Sequence, residues 1–437
     1  MLMNLIDRVR SSTFLRHNAV FFLGSLVVGV LNYAYYPIIG RMMTPAAFGE
    51  LQVLVSLFLQ FTIFLNVLGM ITINIVASHK KSEKAHRIIF EIEKVAAYVA
   101  LAILAASIAF GEFFRQQLRF DSMLPFVALA LALLISIPLT FRSSYIRAEK
   151  RFGVASMTQL VGALIKLVGS VILVVAGLGV IGAMVGIVGA QFVAFLYAAR
   201  WAARVGFRRP SDTHYGTVPD FKSIKPELKY ASAVFVGLLS VTMMMSVDVI
   251  IVKYYFDATT AGLYAGIATV ARILFFVAAP ISQVLMPLVK TSQSPRENMT
   301  LLGKSFLLTT GVCGVILIWC IIAPEAIIRL LMGQEYVMYA NLLPVLAIVV
   351  FIISIVNLVF MYYLVLRRTT IVLIGIMGFV VLMSTVLLWH DTLHAVVYSL
   401  LLGSIFTLLT TGVYVLVNLT RGTRDAKQDD IDRYSDL

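Results

Sequence analysis

An aspartate and an arginine stand inside two neighbouring apolar stretches, where charged side chains are costly. Asp248 and Arg272 belong to SVDVIIVKYYFDATTAGLYAGIATVAR, which holds two apolar runs joined by a short turn. A turn centred near residue 259 or 260 places Asp248 at nearly the same depth as Arg272 in an antiparallel hairpin. Ionisable groups in such runs usually face a partner or a watery cavity. The spacing therefore predicts an ion pair, which serves either as a structural clasp between two helices or in a pathway for a charged cargo.

Further cations and polar side chains lie in other apolar runs. Lys166 is about twelve residues into its run, too deep to snorkel to the surface, and has no acidic residue nearby in sequence. Arg41 and Lys253 lie closer to the predicted outer interface, where snorkelling is the simpler interpretation. Asp248 is the one carboxylate recognised deep in a run, so the embedded set is net cationic and suits an anionic cargo. Other candidate cavity-lining residues are Asn32, Tyr36, Gln60, Gln159, Ser240, Tyr264, Gln283 and Asn357.

The elements that must position these residues are membrane-spanning helices. The 437-residue chain is 60% hydrophobic and 13% charged, and its mean hydropathy of +0.94 excludes an ordinary soluble protein. Apolar runs long enough to cross a ~30 Å hydrocarbon core recur throughout. They predict an all-α polytopic membrane protein with about twelve spans, near 18–40, 48–77, 94–113, 123–141, 155–177, 180–199, 230–256, 261–289, 305–323, 341–366, 370–389 and 395–418.

The distribution of positive charge predicts the orientation of these spans. Most of the 35 Lys and Arg residues fall in alternate loops on one side, as expected of cytoplasmic loops. Both termini are therefore predicted to be cytoplasmic. This asymmetry also accounts for the net charge of +13, with membrane lipids as the partners and no nucleic acid. The loops of the other side hold only Arg41, Arg115, Arg119 and Arg329.

A proline-containing break in hydrophobicity divides the chain into two halves. The predicted divisions are an interfacial helix at 1–17, a six-helix lobe at 18–203, a cytoplasmic linker at 204–229, a second six-helix lobe at 230–418 and a disordered tail at 419–437. The two halves share a short sequence pattern, which we call the sequence echo. In each half an apolar helix ends in a cation, and the next helix begins near a glycine. These residues are Arg41 and Gly49 in the first half, and Lys253 and Gly262 in the second.

Motifs for soluble-site chemistry are missing from the sequence. It has no GxxxxGK[ST], CxxC, HExxH or GxSxG pattern, and we predict neither an enzyme nor a cofactor. His390 and His394 are spaced as metal ligands on a helix, but Trp389 beside them favours an interfacial belt, and no metal site is predicted. Cys313 and Cys320 are separated by roughly 10 Å along one helix, too far for a disulfide.

Two stretches carry a resemblance to a known superfamily. NAVFFLGSLVVGVLNYAYYPIIGRMMTPAAFGELQVL resembles the first hairpin of the multidrug/oligosaccharidyl-lipid/polysaccharide (MOP) exporter superfamily, and DVIIVKYYFDATTAGLYAGIATVARILF resembles its seventh and eighth spans. The chain is thus similar to Wzx-type polysaccharide flippases. The resemblance implies two six-helix bundles that alternate between inward and outward openings.

The resemblance also implies a cargo, an oligosaccharide linked to undecaprenyl diphosphate that moves from the cytoplasmic to the outer leaflet of the bacterial inner membrane. By position, Arg272, Lys166, Arg41 and Lys253 match the cationic residues that meet the diphosphate. Asp248 either binds a coupling proton or holds Arg272 until cargo arrives. The implied protein acts as a monomer alongside other polysaccharide-assembly proteins.

Three alternative functions are weighed against a flippase. A drug or cation antiporter of the same superfamily needs carboxylates in its cavity, and Asp248 is the one recognised. A membrane glycosyltransferase or polymerase is expected to carry carboxylates or arginines on a substantial outer loop, whereas the first outer loop, MMTPAAF, is short and has no carboxylate. A major facilitator porter is expected to have a glycine and aspartate pattern after span two, which ASHKKSEKAHR lacks.

Overall fold

The computed structural model describes residues 13–79, 83–208, 225–289 and 294–435, and in these ranges the chain is helical with no strand. The helices of the first half are α1 Thr13–Gly40, α2 Pro45–His79, α3 Glu83–Ala109, α4 Gly111–Gln117, α5 Leu124–Ala148, α6 Phe152–Leu173 and α7 Gly179–Arg204. Those of the second half are α8 Lys225–Tyr255, α9 Ala258–Ala271, α10 Ile273–Leu288, α11 Pro295–Ile322, α12 Pro324–Leu331, α13 Leu343–Val365, α14 Ile371–Leu388 and α15 Leu393–Ser435.

The twelve predicted spans all fall on helices, although the span 94–113 extends over α3 and α4 and the span 261–289 over α9 and α10. The predicted polytopic all-α class is confirmed. Within the described ranges, nine segments are long and apolar enough to cross a membrane, or ten if α3 and α4, bent by 64°, form one span. The segment Phe152–Arg204 contains two predicted spans, because α6 and α7 are joined without an intervening loop.

Two helix breaks depart from the simple picture of straight spans. Between α6 and α7 the chain turns at Gly177 and Gly179, whose φ angles of 87° and 49° are costly for any residue with a Cβ. In the second half, the predicted eighth span is interrupted at Arg272, which separates α9 from α10. The backbone N–H groups of Phe275 and Phe276 both donate to the Arg272 carbonyl, at 3.1 and 3.2 Å, and restart the helix.

The chain forms two compact units. Unit 1 contains Met1–Phe235, Val249–Val270 and Ile328–Tyr339, and unit 2 contains Val236–Asp248, Ala271–Ile327 and Ala340–Leu437. The tip of the α8–α9 hairpin therefore belongs to unit 1. In unit 1, α5 packs on α2, α3 and α7, while α6 packs on α1 and α7; in unit 2, α13 packs on α10, α11 and α15, and α14 packs on α15.

Several predicted divisions of the chain lie partly outside the described residues. The interfacial helix at 1–17 overlaps them only from Thr13, where α1 begins, and most of the linker at 204–229 is also outside. The predicted lobes, 18–203 and 230–418, stay a prediction. At the end of the chain, α15 continues to Ser435, through the segment 419–437 for which the sequence predicts a disordered tail.

Candidate functional site

The ion pair predicted from the α8–α9 hairpin register is present. Arg272 Nη2 donates to Asp248 Oδ1 at 2.7 Å, and Arg272 Nε donates to the Met245 carbonyl at 2.9 Å. The two side chains are only 11% and 7% exposed. Because the guanidinium holds both a carboxylate and a backbone carbonyl of α8, its charge is neutralised inside unit 2. This geometry is that of a clasp between α8 and the helix break after α9.

The break that positions Arg272 has its own local support in unit 2. The Cys313 thiol of α11 donates to the carbonyl of Leu274, in the first turn of α10, with the sulfur and oxygen 3.5 Å apart. Both cysteines are buried and free, in agreement with the predicted absence of a disulfide. Arg272 therefore projects from a point where two half-helices meet.

Lys166 of α6 is surrounded differently. Its Nζ donates to Asn32 Oδ1 at 2.6 Å and lies 4.5 and 5.6 Å from the ring centroids of Tyr35 and Tyr36 on α1. No carboxylate of the described residues pairs with it. The amide oxygen and the faces of two aromatic rings offer partial negative charge, but they leave a full positive charge in place. The ammonium group is thus stabilised without being neutralised.

Lys253 is fully buried rather than snorkelling, which corrects the prediction made from its position near the end of α8. Its Nζ lies 3.9 Å from Glu50 Oε1 and 5.4 Å from the Phe120 ring centroid. Glu50 is 4% exposed, and its Oε1 accepts a hydrogen bond from the Asp121 backbone N–H at 3.0 Å. Glu50 is therefore a buried carboxylate that the sequence analysis missed.

Arg41 is exposed and caps a helix. Its Nε donates to the carbonyl of Leu331 at 3.1 Å, and its Nη2 donates to the carbonyls of Arg329, at 3.0 Å, and of Leu330. Cationic donors at the last carbonyls of a helix satisfy groups that have no partner within the helix. Arg41 thus terminates α12, and a role for it in binding cargo stays a prediction.

The two glycines of the sequence echo meet in unit 1. A Cβ on Gly49 of α2 would come 2.8 Å from Gly262 Cα, and a Cβ on Gly262 of α9 would overlap the Pro45 carbonyl. The N-terminal ends of α2 and α9 therefore cross at backbone contact.

The start of α9 is fixed by Asp257, whose carboxylate accepts hydrogen bonds from the N–H groups of Thr259 and Thr260 at 3.0 Å. Hydrogen bonds, chiefly from Thr260, hold the Asp257 pKa below its ordinary value.

Two arginines of α5 escaped the sequence analysis, because their charge placed them in a cytoplasmic loop. Arg142 Nη1 donates to Glu93 of α3, and its guanidinium lies 5.6 and 5.2 Å from the ring centroids of Phe195 and Phe207. Arg147 Nη2 donates to Ser144 Oγ at 3.1 Å, and its Nε is buried without a hydrogen-bond partner. The signal missed was the continuation of α5 to Ala148.

The other predicted cavity-lining residues divide by exposure. Gln159 and Gln283 are exposed, whereas Ser240, Tyr264 and Asn357 are buried. Gln60 is half-buried and its Nε2 has no hydrogen-bond partner.

Within the described residues no cluster of His, Cys, Asp or Glu has the composition of a metal site. His394 instead contacts the Asn341 side chain at 3.1 Å, and the metal role of these histidines has no support.

These contacts sort the buried cations into two classes. Arg272, Lys253 and Arg142 each face a buried carboxylate, Asp248, Glu50 and Glu93 respectively. The expectation of a single embedded carboxylate was therefore wrong, but each of the three is matched by a cation. Lys166 and Arg147 have only neutral ligands. An anion brought into this protein would find uncompensated charge at those two residues.

Sequence comparison identifies the family of this chain. A family model described as polysaccharide biosynthesis protein matches residues 14–293, which is more than half of the chain. The chain belongs to the polysaccharide biosynthesis protein family. A comparison with curated protein sequences found no match.

The fold is shared with solved membrane transporters. An inward-facing multidrug resistance MATE family transporter of the MOP superfamily is 12% identical, with 92% of this chain and 99% of that chain covered and a TM-score of 0.73. The lipid II flippase MurJ in an inward closed conformation is 12% identical over 91% of this chain and 87% of its own, with a TM-score of 0.72. A MATE multidrug transporter, DinF-BH, is 15% identical over 91% of this chain and 93% of its own, with a TM-score of 0.67.

The resemblance to polysaccharide flippases agrees with this family, and the chain shares its fold with a solved transporter of the MOP superfamily. The protein is a multi-pass membrane protein with the fold of transporters and flippases, and its family concerns polysaccharide biosynthesis. At such low identities these relatives establish the fold alone. Cargo and site roles must be argued from this chain's own residues.

Proposed function

We propose that this protein is a flippase that moves an undecaprenyl-diphosphate-linked oligosaccharide across the bacterial cytoplasmic membrane for surface polysaccharide biosynthesis. Alternating access carries the cargo from the inner to the outer leaflet, and the protein catalyses no covalent step. Two observations favour this proposal over other uses of the fold. The family is one of polysaccharide biosynthesis, and one solved relative is named as a lipid II flippase.

The observation that carries the proposal is the environment of Lys166. Lys166 is half-buried inside an apolar span, where an ammonium group is costly when its charge is not compensated. Here the ligands are Asn32 Oδ1 and the rings of Tyr35 and Tyr36, all of them neutral. A diphosphate in a low-dielectric crevice is stabilised by a fixed cation of this kind. The same surroundings disfavour a cationic drug, because Lys166 would repel it.

The role proposed for Lys166 is electrostatic contact with the diphosphate at mid-membrane. Asn32 and the two tyrosines hold the ammonium group in place and leave its remaining donors for cargo. Arg272, Lys253 and Arg41 stay predicted contacts, since each is already engaged by a carboxylate or by backbone carbonyls. Polar side chains such as Gln60 and Gln159 are proposed to contact the sugars. The proposed partners are cargo, membrane lipids and other assembly proteins, with the flippase itself a monomer.

A deletion strain provides the decisive test. We expect it to accumulate lipid-linked oligosaccharide on the inner leaflet and to lose surface glycan. Complementation with Lys166→Gln should fail to restore export, although the variant reaches the membrane at normal levels. Lys150→Gln, which removes an exposed cation of the α5–α6 turn, is the matched control and should restore export.

The antiporter alternative makes the opposite prediction. Its loss should leave lipid-linked oligosaccharide unchanged and make cells sensitive to cationic drugs. The structure offers that alternative three buried carboxylates, but Asp248, Glu50 and Glu93 are each paired with a cation. Normal glycan with increased drug sensitivity would therefore overturn the flippase proposal.

A further inference from the structure

Arg147 shares with Lys166 the property that no carboxylate of the described residues neutralises it. It lies in the last turn of α5, where its Nη2 donates to Ser144 Oγ at 3.1 Å. Its Nε is buried and has no hydrogen-bond partner. A guanidinium carries five N–H donors in a planar fork. Most of the hydrogen-bonding capacity of Arg147 is therefore unused within the described chain.

The surroundings of Arg147 are built by close helix packing. Ser144 is fully buried, and across from it stands Gly69 of α2. A Cβ at Gly69 would come 2.6 Å from Ser144 Oγ and 3.6 Å from Arg147 Nη2. A larger residue would push into the serine and the guanidinium. The glycine thus permits α2 and α5 to hold both polar groups at one point inside unit 1.

The same helix contains a comparison for this arginine. Arg142, five residues earlier in α5, is also half-buried, but it pairs with Glu93 and lies over two phenylalanine rings. If Arg147 had only a packing role, we would expect it to have a carboxylate and aromatic rings as partners, as Arg142 does. A cation that merely complements the negative end of a helix dipole needs no burial either.

We propose that Arg147 and Ser144, with the close approach of Gly69, form a second anion-binding site, which receives the diphosphate group of the cargo before it reaches Lys166. The guanidinium fork matches phosphate oxygens in a bidentate manner. The buried Ser144 hydroxyl accepts from Nη2 and holds the fork in position. This inference rests on the proposed function, because it takes the cargo to be an anionic lipid headgroup.

The position of the Arg147 site in the fold indicates that a cargo entering from the cytoplasm reaches it before Lys166. Arg147 is close to the α5–α6 turn, at the end predicted to be cytoplasmic. Lys166 stands 14 residues after the start of α6 at Phe152, or about 21 Å deeper at a rise of 1.5 Å per residue. The two uncompensated cations therefore lie at two depths of unit 1. A cargo entering from the cytoplasm meets Arg147 first.

The test measures binding of inorganic pyrophosphate to the purified full-length protein in nanodiscs of zwitterionic phosphatidylcholine. We expect Arg147→Gln to weaken binding by about tenfold, the size of a charged hydrogen bond. Arg147→Lys, which keeps the charge but loses the fork, should weaken it less. Arg151→Gln removes an exposed arginine of the same region and should leave the affinity within about twofold. Unchanged affinity in Arg147→Gln would overturn the proposal.

A second arm distinguishes cargo from ordinary lipid as the source of the phosphate. The titrations are repeated in nanodiscs that contain phosphatidylglycerol. If the site is reserved for a diphosphate, the ratio of affinities between the parent and Arg147→Gln should stay the same. If anionic lipid occupies the site, the parent should lose its advantage over the variant, and the assignment to cargo would be wrong.

Failure of this inference and failure of the proposed function give different results. Should Arg147→Gln bind pyrophosphate normally while Lys166→Gln blocks glycan export, only the second site is refuted. Should the deletion strain export glycan normally, the flippase proposal fails, whatever the pyrophosphate titrations show. The conservative Arg147→Lys variant keeps the binding measurement informative if Arg147→Gln does not fold.

Discussion

Arg272 and Lys166 are both half-buried cations in apolar helices, yet their surroundings differ. Arg272 donates to a carboxylate, Asp248, and to a backbone carbonyl of α8, whereas Lys166 has an amide oxygen and two aromatic rings. In the first case the positive charge is cancelled by a group from the neighbouring helix. In the second it is tolerated but left uncancelled. The difference indicates that Arg272 mainly stabilises the fold, whereas the charge of Lys166 stays available to the anionic cargo that we propose.

The largest effect is expected from breaking the Asp248–Arg272 pair. Arg272→Ala leaves the Asp248 carboxylate buried without its guanidinium, and such changes cost about 3–5 kcal/mol. The apparent Tm of the purified protein and its amount in the membrane should both fall. The double variant Asp248→Leu with Arg272→Met removes both charges, so we expect it to recover most of the lost stability. A double variant as unstable as Arg272→Ala would contradict the clasp.

Export by this double variant sharpens the comparison. If Arg272 acts only as a clasp, the stable double variant should still restore surface glycan to a deletion strain. If Arg272 also contacts cargo, as its position in the superfamily pattern implies, export should remain low although the protein is stable. The amount of protein in the membrane is the control, and Lys304→Ala, an exposed cation of α11, is the matched substitution.

An intermediate effect is expected where the hairpin tip is held by backbone packing rather than by charge. Gly262→Ala pushes a methyl group into the Pro45 carbonyl, and overpacking of this kind costs about 1–3 kcal/mol. Gly314→Ala in α11 has open space around the new methyl group. It should be neutral or slightly stabilising, because alanine is the better helix former. Equal Tm values for the two variants would show that α2 and α9 do not cross at backbone contact.

A smaller effect on stability separates Lys166 from Arg272. Lys166→Met removes an uncompensated charge and keeps an unbranched side chain of similar length, so we expect the Tm to be unchanged or raised. Export should nevertheless fall by about tenfold or more, equivalent to ~1.4 kcal/mol of lost interaction with the cargo. A large loss of Tm would place Lys166 in the same class as Arg272 and remove the main support for its role with cargo.

The sequence predicts contacts between neighbouring helices better than contacts between distant ones. Asp248 and Arg272 are 24 residues apart across a single turn, so helix geometry alone sets their depths. Lys166 and Asn32 are 134 residues apart, and only the packing of α6 on α1 brings them together. Both residues were predicted site candidates, but their contact was not. The pairing of Glu50 with Lys253 has the same cause, since it depends on the packing of α2 against the end of α8.

The clustering of positive charges near the end of α5 also led the sequence analysis to miss Arg142 and Arg147. Arg142 and Arg147 precede Lys150 and Arg151, and four cations in ten residues indicate a cytoplasmic loop. The structure shows that α5 continues through the first two and holds them half-buried. Hydropathy averages over a window and cannot distinguish a cation at the end of a buried helix from one in a loop. The polytopic all-α class, which depends on long apolar runs, does not suffer from this ambiguity.

The most selective prediction gives Lys166 a carboxylate partner like that of Arg272, by replacing the amide nitrogen of Asn32 with oxygen. Asn32→Asp replaces the amide that Lys166 contacts at 2.6 Å with a carboxylate of nearly the same shape, and so gives Lys166 the kind of partner that Arg272 has. Stability should change little, because the desolvation of a second charge offsets the new attraction. Export should fall, since a neutralised Lys166 no longer favours the diphosphate. Asn32→Leu, which keeps the lysine charge, should retain more export than Asn32→Asp. The reverse order would mean that cargo needs the amide itself rather than the positive charge beside it.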